Sequence, residues 1–313
     1  MHKRFSGYGA ALALILLMVV MAGWGEKEII FPEILALAVG MWVADKPLWR
    51  VTPLTLWFAP TLAAGVGVLL VRYSQLPLPA MILLAFILTA LLLEILRSNL
   101  MPALSAGILP ILIGTSSWNY PLAVALLCAL VALGGIFRAR RRDRAGELPW
   151  PEGPAPRQSL SFWGRLLAII TLPTVVGPNI GLPFLIAPPL IVTLVEISLP
   201  QSALRQRLPE VFFLLTGAAW GGMLAQSMLV VRLGWPDWVA AALVVIALFG
   251  LYEWRDLHLP PAGAIALLPL LLTAEQLPAY PWQVMAGAAF FLLASLALFR
   301  EAPKAEQPEL RTQ

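Results

Sequence analysis

Glu253-Trp-Arg-Asp-Leu-His258-Leu-Pro260-Pro261-Ala262 sets a carboxylate, two further charges, a histidine and a proline pair into an otherwise apolar region. The pattern has an echo in Glu94-Ile-Leu-Arg97-Ser-Asn99-Leu-Met-Pro102-Ala103, 159 positions earlier (94 to 253, and again 102 to 261). The same spacing relates Pro110 to Pro269. After one inserted residue it relates Tyr120-Pro121 to Tyr280-Pro281. Agreement of this kind along one diagonal marks a tandem duplication.

Composition fixes the solvent of both copies. The chain is 60% hydrophobic and 12% charged, with mean hydropathy +0.83, where soluble domains carry about 25% charged residues. It reads as an all-α, polytopic transmembrane protein with the lipid bilayer as its partner. The net charge of +4 is then a topology signal and gives no reason to expect nucleic acid. A single cysteine, Cys128, sits in an apolar run, which excludes an internal disulfide and suits a buried, inert thiol. Met-His-Lys-Arg followed by the run Gly9 to Trp24 resembles a signal peptide. The second half opens on a similar run, Leu166 to Val176, so the first is expected to be a retained helix.

A spanning helix needs about 20 apolar residues. Segments of that length are expected at 7–25, 53–71, 79–96 and 118–137, with partners at 161–177, 209–231, 236–254 and 281–299. Between them lie shorter proline-marked runs at 29–44 and 101–115, and at 180–197 and 259–274. These are either thin spans or re-entrant helices. Short, Gly/Pro-interrupted segments at matching places in two halves point to a transport site. The predicted organisation is repeat 1 (1–137), a basic, proline-rich linker (138–160) acting as an exposed tether, repeat 2 (161–301) and a disordered tail (302–313).

Six segments per half put both termini and the linker on one side. That side collects eighteen of the 21 basic residues, leaving Lys27, Arg72 and Arg232 opposite, so it is expected to be cytoplasmic and the repeats parallel. The tryptophans, among them Trp24, Trp49, Trp118, Trp235 and Trp282, read as an interfacial belt.

Few residues carry chemistry. Glu94 and Glu253, near helix ends, are candidates for proton coupling, or they snorkel and pair structurally; the spacing of Glu94 and Arg97 suits a same-face pair. Asn99 and His258 each stand three residues before the proline of a Pro-Ala, as plain helix caps or as part of an anion site with Pro102, Pro260 and Pro261. Phe31-Pro32-Glu33 matches Leu182-Pro183-Phe184 at a spacing of 151, which sets Asp45 opposite Glu196. Gly177-Pro178-Asn179-Ile-Gly181-Leu-Pro183 reads as a break and a new helix start, adding Asn179 to the anion-binding candidates. Arg205 and Arg207 steer anions or simply obey the positive-inside rule. No metal site, cofactor or catalytic constellation is expected.

His258-Leu-Pro260-Pro261-Ala262-Gly263-Ala264 resembles the His-Pro-Pro-Ala-Gly-Ala signature of the HPP family of integral membrane proteins. Ala187-Pro-Pro-Leu-Ile-Val-Thr-Leu-Val-Glu196-Ile-Ser198-Leu-Pro-Gln-Ser-Ala-Leu-Arg205 is similar to that family's apolar segment and the loop that ends it. The resemblance covers most of 161–299 and, more weakly, 29–137. A leucine interrupts the His-Pro-Pro of the signature, and the first copy has Asn99-Leu-Met-Pro102 in its place. Because plastid and cyanobacterial members are described as nitrite transporters, the resemblance implies transport of a small inorganic anion. The site would lie between the repeats, in a bacterial inner membrane, with a homo-oligomer possible. The competing expectation is a membrane scaffold that transports nothing.

Overall fold

The computed structural model describes residues 2–44, 48–143, 154–200 and 202–299, with only the backbone described for His2, Lys3 and 141–143. These residues form helices and connecting turns, with no strand among them. The first half comprises α1 (His2–Ala22), α2 (Glu33–Ala38), α3 (Pro53–Tyr73), α4 (Leu78–Ile95), α5 (Pro102–Ile113) and α6 (Asn119–Asp143). The second comprises α7 (Leu160–Asn179), α8 (Pro188–Ser198), α9 (Leu208–Ala225), α10 (Asp237–Arg255), α11 (Pro260–Leu267) and α12 (Tyr280–Leu298). A π-helical segment, Val39–Val43, prolongs α2 and another, Gln226–Arg232, prolongs α9; the 3-10 turn Leu268–Leu271 prolongs α11.

Eight of these helices are long and apolar enough to cross a membrane. Their ends follow from local chemistry. Thr52 and Ser159 accept hydrogen bonds from Thr55 N and Phe162 N at the starts of α3 and α7, and proline fills the first turn of α4, α5, α8, α9, α11 and α12. Large apolar side chains such as Leu69, Leu91, Leu126, Leu133, Ile246 and Leu293 face outward, as a lipid-facing surface requires. The chain is a membrane-embedded helical protein.

The short helices cross with the long ones and do not turn back. Phe31 packs on Tyr120 near the start of α6, and the indole of Trp42 donates to Val131 O well along it. In the second half, Phe184 N donates to Gln283 near the start of α12, while Ser198 meets Ser295 near its end. The four are therefore thin, proline-marked spans. They occupy the centre, where residues from Pro102 to Ile111 of α5 and all of α11 are buried.

The duplication is visible in three dimensions. α1 packs on α10 as α7 packs on α4, and α2 packs on α11 as α8 packs on α5. The Tyr120 hydroxyl donates to Ala106 O and that of Tyr280 to Ile265 O, at 3.2 and 2.8 Å. Phe31–Tyr120 and Phe184–Tyr280 are matching edge-to-face pairs. Phe31 thus corresponds to Phe184, a spacing of 153 (31 to 184) in place of the expected 151. The proposed partner of Glu196, Asp45, lies outside the described residues. α7 runs through Gly177 and Pro178 to Asn179, so the break falls later than Gly177, at the left-handed Gly181; the expected helix start at Pro183 is present as a 3-10 turn, Pro183–Ile186, that leads into α8.

Arg97 and Asp256, again 159 apart, both adopt left-handed backbone conformations (φ 48° and 45°). There the chain leaves α4 and α10, and Ser98 N and Leu257 N bond back to Leu93 O and Tyr252 O. This exit prevents the Glu94–Arg97 pair expected from their spacing. Residues 154–159 are not a free tether: Ala155 is buried and its N–H donates to Arg97 O at 2.7 Å. The tail 302–313 lies outside the described residues.

Close contact between α3 and α5, and between α9 and α11, depends on glycine. A methyl on Gly67 would overlap the Gly107 backbone and the Pro110 ring; one on Gly222 would overlap the Ala266 backbone. Gly67→Ala and Gly222→Ala are expected to destabilise the protein by about 1–3 kcal/mol each in thermal unfolding in detergent. Gly65→Ala, which points into open space, leaves the transition unchanged.

Candidate functional site at the repeat interface

Glu94 and Glu253 end their helices on the face where α1 begins, called inner below. Each is held by the first helix of the other repeat. The Tyr8 hydroxyl of α1 donates to Glu253 Oε1 at 2.7 Å, and the Trp163 indole of α7 donates to Glu94 Oε1 at 2.9 Å. The two junctions are equivalent, since Tyr8 and Trp163 are 155 apart in the matching stretches Ser6-Gly7-Tyr8-Gly9 and Ser161-Phe162-Trp163-Gly164. That repeat was legible in the sequence, yet the aromatic donors escaped the reading because a phenol and an indole look unlike.

The second-repeat junction is the richer one. His258 Nε2 lies 2.8 Å from the Tyr8 hydroxyl and 3.6 Å from Glu253 Oε1. Arg4 Nη1 stands 3.6 Å from Glu253 Oε2. Phenol, carboxylate and imidazole therefore share protons within one network, and protonating the carboxyl would turn an acceptor into a donor and loosen the junction. At the first-repeat junction, Gln158 N also donates to Glu94 Oε1, at 3.0 Å, so the end of the linker is part of the site.

The other expected residues take different places. Neither Asn99 nor His258 caps its helix: the cap positions fall on Met101 and Leu259, without side-chain hydrogen bonds. Asn99 Oδ1 instead accepts from Arg50 N at 2.5 Å, tying the loop before α3 to the end of α4. Pro102, Pro260 and Pro261 are buried at the starts of α5 and α11. Asn179 is at the opposite, outer face, exposed, with Nδ2 donating to Val175 O. The site residues thus gather at two inner junctions, and Asn179 does not join them. Arg207 donates to Arg255 O and Asp256 O at 2.7 and 2.9 Å, closing off the end of α10. Trp49 is no belt residue; it is buried and donates to Glu196 Oε1 at 3.1 Å.

The leading N–H groups of the short helices bond locally. Leu35 N closes onto Pro32 O, Leu104 N onto Met101 O, Leu190 N onto Ala187 O and Ala262 N onto Leu259 O. Deeper in the protein, Ser105 donates to Glu33 Oε1, a buried pair that the sequence reading did not single out. Among the described residues, no three metal-ligating side chains converge.

No protein-family model matches the chain, and neither a curated protein nor a solved structure matches it.

Tyr8→Phe and Trp163→Phe remove one donor from each junction. Tyr8→Phe is expected to lower stability by about 1 kcal/mol at most, since Glu253 is partly solvated, and Trp163→Phe by more, because the smaller ring also gives up packing against Phe86 and Phe162. A double-mutant cycle of Tyr8→Phe with Glu253→Gln, followed by thermal unfolding, should be non-additive; strict additivity would remove the coupling assigned to the junction.

Proposed function

We propose that the protein is a transporter for a small inorganic anion of the nitrite type, moving one six-helix repeat against the other. The observation that carries this reading is the pair of equivalent junctions, Glu253 with Tyr8 and Glu94 with Trp163. Both lie on one face and both join the repeats through side chains, so they can part without breaking any backbone ladder. Rocking of repeat against repeat around a central site is how such duplicated carriers alternate access. In this reading Glu94 and Glu253 couple the movement to protons. His258, Pro260 and Pro261 of one repeat and Asn99 and Pro102 of the other flank the anion's inner entrance, with Asn179 at the outer mouth. The anion class rests on the resemblance of His258-Leu-Pro260-Pro261-Ala262 to the HPP signature. A bacterial inner membrane with both termini in the cytoplasm accords with the skewed basic residues.

A second reading, a scaffold that carries nothing across, draws on the local bonding of the short helices' first N–H groups and the burial of Pro102, Pro260 and Pro261. Those donors are not free to meet an anion in this conformation.

Purified protein in liposomes decides between the two. Nitrite accumulation under an imposed pH gradient, above that of protein-free vesicles, is expected for the carrier. Glu94→Gln with Glu253→Gln should slow it about tenfold, within the usual range of coupling energies. Wild-type vesicles that accumulate no nitrite under a pH gradient of either direction would leave the scaffold reading in its place.

A further inference from the structure

Duplication gives this protein several of its polar features twice: the junction carboxylates, the tyrosines over α5 and α11, and the left-handed exits. The Glu33–Ser105 pair occurs once. The position equivalent to Ser105 is Ala264 (105 + 159), and that of Glu33, counted from the Phe31–Phe184 match, is Ile186. The fold of a repeat does not require the pair, since the second copy folds with alanine and isoleucine in its place.

The pair lies at mid-depth within the first repeat, on two helices that pack against the second. From Glu33 the chain runs nine residues to Trp42 at the inner end, about 13 Å at helical rise. From Ser105 it runs ten residues to Thr115 at the outer end of α5, about 15 Å. α2 and α5 cross in opposite senses, so these lengths add to roughly the 30 Å of a bilayer core. Next to Glu33, Leu35 packs against Gly263 of α11 in the other repeat.

Glu33 is 1% exposed, and its second oxygen, Oε2, has no hydrogen-bond partner. Several elements pack on α2. Among them α5 and α11 contain no titratable residue, and the charges of α1 are confined to its inner end. α6 contributes Tyr120 and Cys128 at this depth, its charges from Arg138 onward being confined to its inner end, and Tyr280 of α12 stands within electrostatic reach of the carboxyl. None of these is a cation. An ionised carboxylate so placed, with one hydroxyl donor and its own backbone N–H, would lack much of what it gives up in water. Ionisable residues inside a membrane protein of this kind mark ion or proton pathways.

We propose that Glu33, with Ser105 as its hydrogen-bond donor, is a proton-binding site at the centre of the protein. It holds its proton in this closed arrangement and exchanges it when the repeats part. The site deepens the transport reading and rests on it only for its use: Glu33 would carry a proton with the anion, while Glu94 and Glu253 couple the parting of the repeats to protons at the inner face.

Two measurements test it. Infrared difference spectra of the purified wild-type protein at neutral pH should show the C=O stretch of a protonated carboxyl that is absent in Glu33→Gln and shifted in Ser105→Ala. In liposomes, Glu33→Gln should retain exchange of nitrite between the two sides while its accumulation driven by a pH gradient falls about tenfold. The isosteric glutamine keeps an acceptor for Ser105, and retained exchange reports a folded protein. A wild-type spectrum without a band that depends on Glu33 would overturn the proposal, as would undiminished pH-driven accumulation in Glu33→Gln. If the band is present but wild-type protein moves no nitrite, the proton site stands and the anion transport reading falls.

Discussion

In hydrocarbon, every backbone N–H and C=O must find its partner within the protein. Proline-broken helices leave some of these groups unpaired at their ends, so lipid cannot surround them. The four short helices of this protein are accordingly at its centre, with the eight long ones around them. That single requirement fixes much else. It forces α3 onto α5 and α9 onto α11 at glycine-sized distance. It also sets the loops before α5 and α11 beside the ends of α4 and α10, where Asn99 meets the Arg50 backbone and Arg207 closes the carbonyls of Arg255 and Asp256.

Two layers of polar contact follow. The inner junctions are partly solvated and repeated, Glu253 on Tyr8 and Glu94 on Trp163, and they link long helices. The deeper pair, Glu33 with Ser105, is enclosed and single, and it links short ones. The first kind suits a contact made and broken in a cycle. The second suits a group whose charge state must be guarded from water until the cycle opens it.

Much of the fold was legible in the sequence because its punctuation is strong. Pro53, Pro102, Pro260 and Tyr280-Pro281 fix helix starts, and the expected 53–71 and 236–254 become Pro53–Tyr73 and Asp237–Arg255. The site was legible in part. Glu94 and Glu253 stood out as charges in apolar runs, but their partners are the first helices of the opposite repeats, and no local period records a contact between residues 8 and 253. Glu33 and Ser105 are 72 apart on separate helices, which again leaves no pattern along the chain. Trp49 was misread for a different reason: indole suits an interface and a half-buried carboxylate partner equally well, and only packing against Gly40 and Glu196 separates the two.

The crossing of first helices between repeats also sets a timetable for assembly. α1 is made well before α10, one of the helices it packs on, which emerges only after the eight helices between them. α7 finds α4 already waiting. The contact of Tyr8 with Glu253 can therefore form only once α10 has been inserted. Neither half can reach its final packing alone, so the two copies mature as one unit.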